Sequence, residues 1–97
     1  MVTIVWETWL KKDNGGKGLI ITRHIWNDMQ KFKGYISHNI LLNKDCEERI
    51  LVLSKWENRE LADKIKNEYA NAETVRLITP LLERPRNRWV FDEDTTR

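Results

Sequence analysis

Residues 34–65 read GYISHNILLNKDCEERILVLSKWENRELADKI, and this stretch decides the fold that the sequence predicts. Its first residue, Gly34, suits the left-handed conformation that commonly ends a helix. Alternating apolar residues predict a strand over 35–43, and the apolar run within 49–56 predicts another strand, covered on both faces. The polar segment NKDCEE between them is typical of a hairpin loop. Asn58 can cap the next helix, whose apolar period is kept by Leu61, Ala62, Ile65 and Tyr69.

Period-two alternation divides the strand at 35–43 into two faces. One face carries Tyr35, Ser37, Asn39 and Leu41, and the other carries Ile36, His38, Ile40 and Leu42. His38 is one of two histidines in the chain, and the pattern predicts it on a buried, aliphatic face. Either the helices or a partner subunit could bury that face, and alternation does not say which.

The flanking segments complete the order of elements. Alternation of β-branched and aromatic residues predicts a strand over 2–10, which the turn-forming segment 11–18 ends. A helix is predicted over 18–32 from the spacing of Ile21, Ile25, Met29 and Phe32. Near the carboxyl end, a strand is predicted over 86–92. Before this strand, the spacing of Val75, Ile78 and Leu82 indicates a short helix, which Pro80 should bend or end.

This order predicts an α+β fold: a ferredoxin-like β-α-β-β-α-(α)-β sandwich with a four-stranded antiparallel sheet. We expect a single domain over residues 1–97, with 92–97 as a frayed tail. Helices on one side of such a sheet leave the other side bare, and that side should show apolar residues from Val5, Trp9, Leu51 and Leu53 or their alternates. Two-fold homo-oligomers are common, so we expect a second copy to cover this face and the protein to be a homodimer.

Composition excludes several classes of protein. The formal net charge is +2, from 17 basic and 15 acidic residues, which argues against a nucleic-acid binder or a polybasic membrane anchor. No apolar run approaches the ~20 residues of a membrane span. Cys46 is the only cysteine, and the first residues lack a basic segment before their apolar run, so a cytoplasmic location is expected.

The stretch at residues 34–65 also resembles a known family. Gly34-Tyr35-Ile36-Ser37, a polar loop, an apolar strand and then Trp56-Glu57-Asn58-Arg59-Glu60 are similar to the middle of an antibiotic biosynthesis monooxygenase (ABM) domain. The resemblance covers about a third of the chain, and the element order extends it over the whole. It implies a dimeric α/β barrel, in which two ferredoxin-like sheets pack together.

The resemblance implies a monooxygenase that oxidises a small aromatic or quinone-like metabolite with no metal, flavin or other cofactor. Haem-degrading relatives use an early asparagine, where this chain has Glu7 and Thr8, and a helical Trp and His, which residues 61–83 lack. Many relatives also have a histidine in the helix after the Trp-Glu motif, where this chain has Lys64 and Ile65. The alternative is therefore a non-catalytic dimeric domain that binds a small ligand or a partner.

Candidate site residues follow from an aromatic pocket between helices and sheet. His38 is the candidate catalytic residue, because its pKa range suits proton transfer. Candidate substrate-binding residues are Trp6, Trp26, Asn27, Asn39 and Trp56. We predict no metal site, because no pair of histidine or cysteine residues has ligand spacing. Alternation puts Arg84, Arg86 and Arg88 on one side of the last strand, which we interpret as solvated or dimer-bridging.

Overall fold

The elements of the protein follow the predicted order. The computed structural model describes residues 1–94 and 96. Their strands and helices, in chain order, are β1 (Val2–Trp9), α1 (Gly15–Met29), β2 (Tyr35–Leu42), β3 (Arg49–Trp56), α2 (Arg59–Tyr69), α3 (Glu73–Ile78) and β4 (Asn87–Asp92), with a 3-10 turn at Thr79–Leu81. The α+β, ferredoxin-like fold class is therefore confirmed.

The strands form one antiparallel sheet in the order β2-β3-β1-β4. The helices pack on one face, and the core lies between them and the two central strands, with Ile4 and Ile50 each only 1% exposed. Burying an aliphatic side chain of this size contributes roughly 1.5–3 kcal/mol. The helix-facing residues of β1 and β3 are Val2, Ile4, Trp6, Thr8, Ile50, Val52, Ser54 and Trp56.

Helix α1 is displaced from its predicted range of 18–32. It begins at Gly15, inside the segment predicted as a turn. Gly18 in its first turn packs directly on Leu10, where a Cβ would overlap the Leu10 side chain. The helix ends at Met29, where the following amides bond to carbonyls three residues back and tighten the chain. Gly34 does take a positive φ of 95°, but it turns the chain into β2 and does not cap α1.

Helix α2 begins as the sequence predicts. Asn58 has extended backbone angles, and its side-chain oxygen accepts a hydrogen bond from the Leu61 N–H at 2.9 Å. The bond satisfies one of the amides that a helix leaves without a partner in its first turn. It sets the direction in which α2 leaves β3 and returns over the sheet.

A β-bulge changes the predicted faces of β2. The register shifts between Tyr35 and Ser37, so Tyr35 pairs with Trp56 while Ser37 pairs with Lys55. A bulge places an extra residue in one strand and reverses the alternation beyond it. Tyr35 therefore shares the helix-facing side with His38, although strict alternation assigned the two residues to opposite faces.

Within the described part of the chain, the other face of the sheet carries no helix, as predicted. Val5, Trp9, Leu51 and Leu53 all lie on it and are half-buried. The outer strands add exposed apolar residues, namely Leu41, Trp89 and Phe91. We call this surface the open face.

Among the described residues, no helix has the length and apolar character needed to cross a membrane. The predicted tail at 92–97 begins inside β4, because Asp92 is its last residue. Residues 93, 94 and 96 are exposed and follow the strand. Thr95 and Arg97 lie outside the described residues.

Candidate functional site

A cavity of about 70 Å³ lies between the helices and the sheet. Aliphatic and aromatic side chains make most of its wall. It reaches the surface beside the carboxyl end of α2, where the lining residues Lys66 and Ala70 are exposed. We call it the helix–sheet cavity; the residues that matter for its chemistry are Trp6, Trp26, Trp56, Tyr69, Arg86 and Arg88.

The three tryptophans predicted for the site all line this cavity. Trp6 enters from β1, Trp26 from α1 and Trp56 from the end of β3. Trp56 is held by a specific contact, because its indole N–H donates to Ser54 Oγ at 3.0 Å. Ser54 is fully buried and in turn donates to the Ile4 carbonyl at 3.1 Å. The orientation of one cavity wall is therefore set by a buried hydroxyl.

The polar residues predicted for the site lie elsewhere. Asn27 is exposed on α1, and Asn39 is exposed in β2 opposite Leu53, on the open face. Neither lines the helix–sheet cavity, so their predicted role of orienting a carbonyl has no support from their positions. His38 is on the helix-facing side, but it packs against the Trp26 ring at 5.4 Å between centroids and is not part of the cavity wall.

His38 forms a pair with Tyr35. The Tyr35 hydroxyl oxygen and His38 Nδ1 are 2.5 Å apart. Burial lowers the pKa of His38 and raises the pKa of Tyr35, so both groups are neutral at pH 7. The tautomer of the neutral imidazole decides which of the two groups donates this hydrogen bond. His38 packs against Trp26 and Tyr35 packs against Trp56, so the pair adjoins two residues of the cavity wall without lining the cavity itself.

Tyr69 is a polar residue that the sequence analysis assigned only to the helical core. It lines the cavity from the last turn of α2 and donates a hydrogen bond to Asp28 Oδ2 at 2.7 Å. Thr74 Oγ1 also bonds to the Tyr69 oxygen, and it must be the donor because the tyrosine proton is already used. Burial first, and then the Asp28 carboxylate, raise the pKa of Tyr69 to about 12. Its position at i+4 from Ile65 was the only sequence signal, and that signal does not separate packing from function.

A basic group forms one end of the cavity. Arg86 and Arg88 both line it, with their guanidinium carbons 5.4 Å and 5.7 Å from the centroid of the Trp6 ring. Arg88 Nη2 lies 2.7 Å from Asp63 Oδ1, and this hydrogen bond is the main reason that the pKa of Asp63 is lowered. The alternation of Arg84, Arg86 and Arg88 in sequence predicted a solvated or dimer-bridging strand, whereas Arg86 and Arg88 line the cavity.

The described residues contain no group of three or more histidine, cysteine or acidic side chains that could hold a metal ion. Cys46 is a free, half-buried cysteine in the loop between β2 and β3. The cavity offers an apolar, aromatic surface, the hydroxyl groups of Thr8, Thr22 and Tyr69, and the cationic side chains of Lys66, Arg86 and Arg88. Such a site can bind an apolar molecule and orient an oxygen atom of it.

Comparison with known proteins supports the fold. No protein-family model and no curated protein sequence matches the chain. Among solved structures, one described as an antibiotic biosynthesis monooxygenase has a TM-score of 0.84 at 12% identity, covering 97% of this chain and 99% of its own. SnoaB of Streptomyces nogalater, described as a cofactor-independent oxygenase, has a TM-score of 0.83 at 12% identity, covering 98% and 94%.

Rv0793 of Mycobacterium tuberculosis has a TM-score of 0.80 at 12% identity, covering 98% of each chain. At such identities the likeness establishes the fold. The chain has the fold of the ABM proteins, which confirms at the level of the fold the resemblance drawn from residues 34–60.

Proposed function

We propose that this chain, with its ABM fold, is a small oxygenase that oxidises an aromatic or quinone-like metabolite in the helix–sheet cavity without a bound metal or flavin. The observation that carries the proposal is the cavity itself, walled by Trp6, Trp26 and Trp56. A second support is that SnoaB, which has the same fold, is described as a cofactor-independent oxygenase.

The proposed chemistry requires the substrate to supply the electrons. When an activated CH₂ group is oxidised to a carbonyl by O₂, one oxygen atom enters the product and the other leaves as water. The first step removes a proton from that carbon, and the resulting carbanion reacts with O₂. The protein must therefore bind the apolar substrate and accept a proton.

His38 stays our predicted proton acceptor, and its position sets a condition on that role. His38 packs against Trp26 and does not line the cavity, so its surroundings must move before it can accept a proton from a bound substrate. Replacing His38 by Ala should lower kcat about 100-fold or more if it is the base. His24→Ala is the matched control, because His24 is exposed on α1. Unchanged turnover in His38→Ala would remove His38 from the mechanism.

The size of the cavity constrains the substrate. Pockets for drug-sized ligands measure roughly 300–1,000 Å³, and an apolar cavity of about 150 Å³ is enough for benzene. At about 70 Å³ the helix–sheet cavity admits an aromatic ring only after its walls move. The surface opening beside Ala70 is the place where such movement would admit a ligand.

Oxygen uptake tests the proposal. A panel of anthrones and hydroquinones should include a compound that the protein oxidises, with one atom of labelled O₂ in the product. Ala70→Trp should abolish this turnover by blocking the opening, whereas Asn71→Trp should not, because Asn71 is exposed and does not line the cavity. Turnover that survives in Ala70→Trp would place the reaction outside the cavity.

A non-catalytic ligand-binding domain is the second candidate function, and it is favoured by the absence of His38, Asn27 and Asn39 from the cavity wall. Binding of panel compounds without any oxygen uptake would support this candidate over the first. The cytoplasmic location stays a prediction in either case.

We also propose that the protein is a homodimer joined through its open face. The support is the set of apolar side chains there, including Leu53, Trp89 and Phe91. Leu53→Glu should convert a dimer to a monomer in light scattering, because it places a charge in the apolar surface. Ile20→Glu is the control, since Ile20 is an exposed apolar residue on α1. A monomeric mass for the unmodified protein at micromolar concentration would contradict the dimer.

A further inference from the structure

Arg86 differs from the other partly buried arginines of the protein. Arg49 Nη2 lies 2.7 Å from Glu7 Oε2, and Arg88 Nη2 lies 2.7 Å from Asp63 Oδ1. Within residues 1–94 and 96, no carboxylate lies in ion-pair distance of Arg86. A partly buried cation is costly unless it is paired, so the missing anion needs an explanation.

Arg86 stacks on an aromatic ring in the wall of the cavity. It lines the cavity together with Trp6, and its guanidinium lies over the face of that ring. Burial lowers the pKa of Arg86, but an arginine keeps its charge at pH 7. The π-face of Trp6 offsets part of the cost of burying this charge. It leaves the planar N–H donors available for another partner.

The neighbouring groups increase the positive charge at this end of the cavity. Lys66 and Arg88 line it as well, and Asp63 is the carboxylate paired with Arg88. The Nε of Arg88 is buried and has no hydrogen-bond partner, since Asp63 occupies only Nη2. Three cations therefore line the cavity with no carboxylate among its lining residues, and a buried donor of Arg88 remains unsatisfied.

We propose that the ligand of the helix–sheet cavity carries an anionic oxygen group, a carboxylate, phenolate or enolate, which Arg86 binds while the apolar body of the ligand packs inside against Trp6. Charge-assisted hydrogen bonds from a guanidinium to such an oxygen are short and strong. This inference rests on the cavity being the binding site of the proposed function, but it does not require that the ligand be oxidised.

Benzoate and its neutral isostere benzamide are the probes. Each is titrated at pH 7 into the intact protein, and binding is followed through the NMR signals of the indole N–H groups, with that of Trp6 assigned from a Trp6→Phe variant. We expect benzoate to bind about tenfold more tightly than benzamide or better, because a hydrogen bond to a charged group is worth that ratio. The preference should vanish in Arg86→Gln and persist in Arg86→Lys, which keeps the charge.

Arg84→Gln is the matched control. Arg84 also stacks on a tryptophan, with its guanidinium carbon 4.6 Å from the Trp9 centroid, but it is exposed and does not line the cavity. It should keep the full preference for benzoate. Thermal unfolding of each variant shows that it is folded before its binding is compared.

The outcomes separate this inference from the proposed oxygenase. Arg86-dependent binding of benzoate without oxygen uptake by any panel compound would support the anion site and count against the oxygenase. Equal binding of benzoate and benzamide, a preference that survives in Arg86→Gln, or failure of both probes to shift the Trp6 signal would overturn the inference.

Discussion

Ser54 provides a test of how the cavity wall is held. Its hydroxyl accepts the Trp56 indole N–H at 3.0 Å and donates to the Ile4 carbonyl at 3.1 Å. Both Ser54 and Trp56 are buried, at 0% and 3% exposure. Ser54→Ala removes the acceptor while leaving the indole N–H in place. Water has little access to that N–H, so the donor stays unsatisfied.

The expected cost follows from these two bonds. A buried donor without a partner costs about 1–3 kcal/mol, and we expect Ser54→Ala to lower the free energy of unfolding by about 2 kcal/mol. For a domain of this size each kcal/mol shifts Tm by about 4–8 °C, so Tm should fall by about 8–16 °C. The indole of Trp56 should also become less ordered, which loosens one wall of the cavity.

Urea and thermal unfolding, followed by circular dichroism at one protein concentration, measure the loss. The concentration is kept constant because dimerisation would add to the apparent stability. Ser37→Ala is the control: Ser37 is half-buried in β2, and no side-chain hydrogen bond of Ser37 is found within residues 1–94 and 96. It should cost less than about 0.5 kcal/mol.

A double-mutant cycle decides the mechanism. In a Trp56→Phe background the donor is absent, so Ser54→Ala should cost clearly less than it does in the unmodified protein. An equal cost in both backgrounds, or a loss below about 0.5 kcal/mol in the unmodified protein, would refute the argument that Ser54 stabilises the fold through Trp56.

Three further perturbations follow from single contacts. Gly34→Ala should lower the free energy of unfolding in urea by about 1–3 kcal/mol, because φ is 95° at Gly34. Gly16→Ala should not lower it, because a Cβ at Gly16 would meet no atom within 4 Å. Glu7→Gln should cost about 1–3 kcal/mol at pH 7 by leaving Arg49 without its carboxylate. The hydrogen bonds that Glu7 accepts lower its pKa, so its contribution to the free energy of unfolding is present above pH 4.5 and is lost as pH falls through the lowered pKa. Equal acid sensitivity of the Glu7→Gln variant and the unmodified protein would contradict this. Tyr69 has a raised pKa of about 12, so its contribution is present below the usual value of 10.0 and is lost as pH rises towards 12; Tyr69→Phe should flatten that alkaline decline in unfolding experiments at pH 9 and 11.

Local signals in the sequence are sufficient for most of the fold. The apolar run within residues 49–56 predicts β3 with its observed bounds, and the cap at Asn58 is formed as expected. These features depend on neighbours within a few residues, where periodicity and capping chemistry act directly. The same reasoning identified the apolar open face, because two sides of a strand can be distinguished even when their cover is unknown.

The candidate site was only partly predictable. Trp6, Trp26 and Trp56 could be proposed as cavity walls because large aromatic side chains bury a large apolar area, and all three line the cavity. Polar site residues could not be predicted in the same way, since Asn27 and Asn39 are exposed and do not line the cavity. A polar side chain next to an apolar one in sequence can point to the opposite face of its element.

The sequence by itself determined the order of the elements, the two-layer architecture and the aromatic character of the interior. Tertiary structure alone decided which polar groups meet that interior. One bulge brought Tyr35 to His38, and packing placed His38 against Trp26 and Tyr35 against Trp56. Arg86 came to the cavity because β1 and β4 are neighbours in the sheet, so that it lies over Trp6, a residue 80 positions earlier in the chain. Periodicity carries information about the face of one element, whereas these contacts depend on register and on pairing between distant segments.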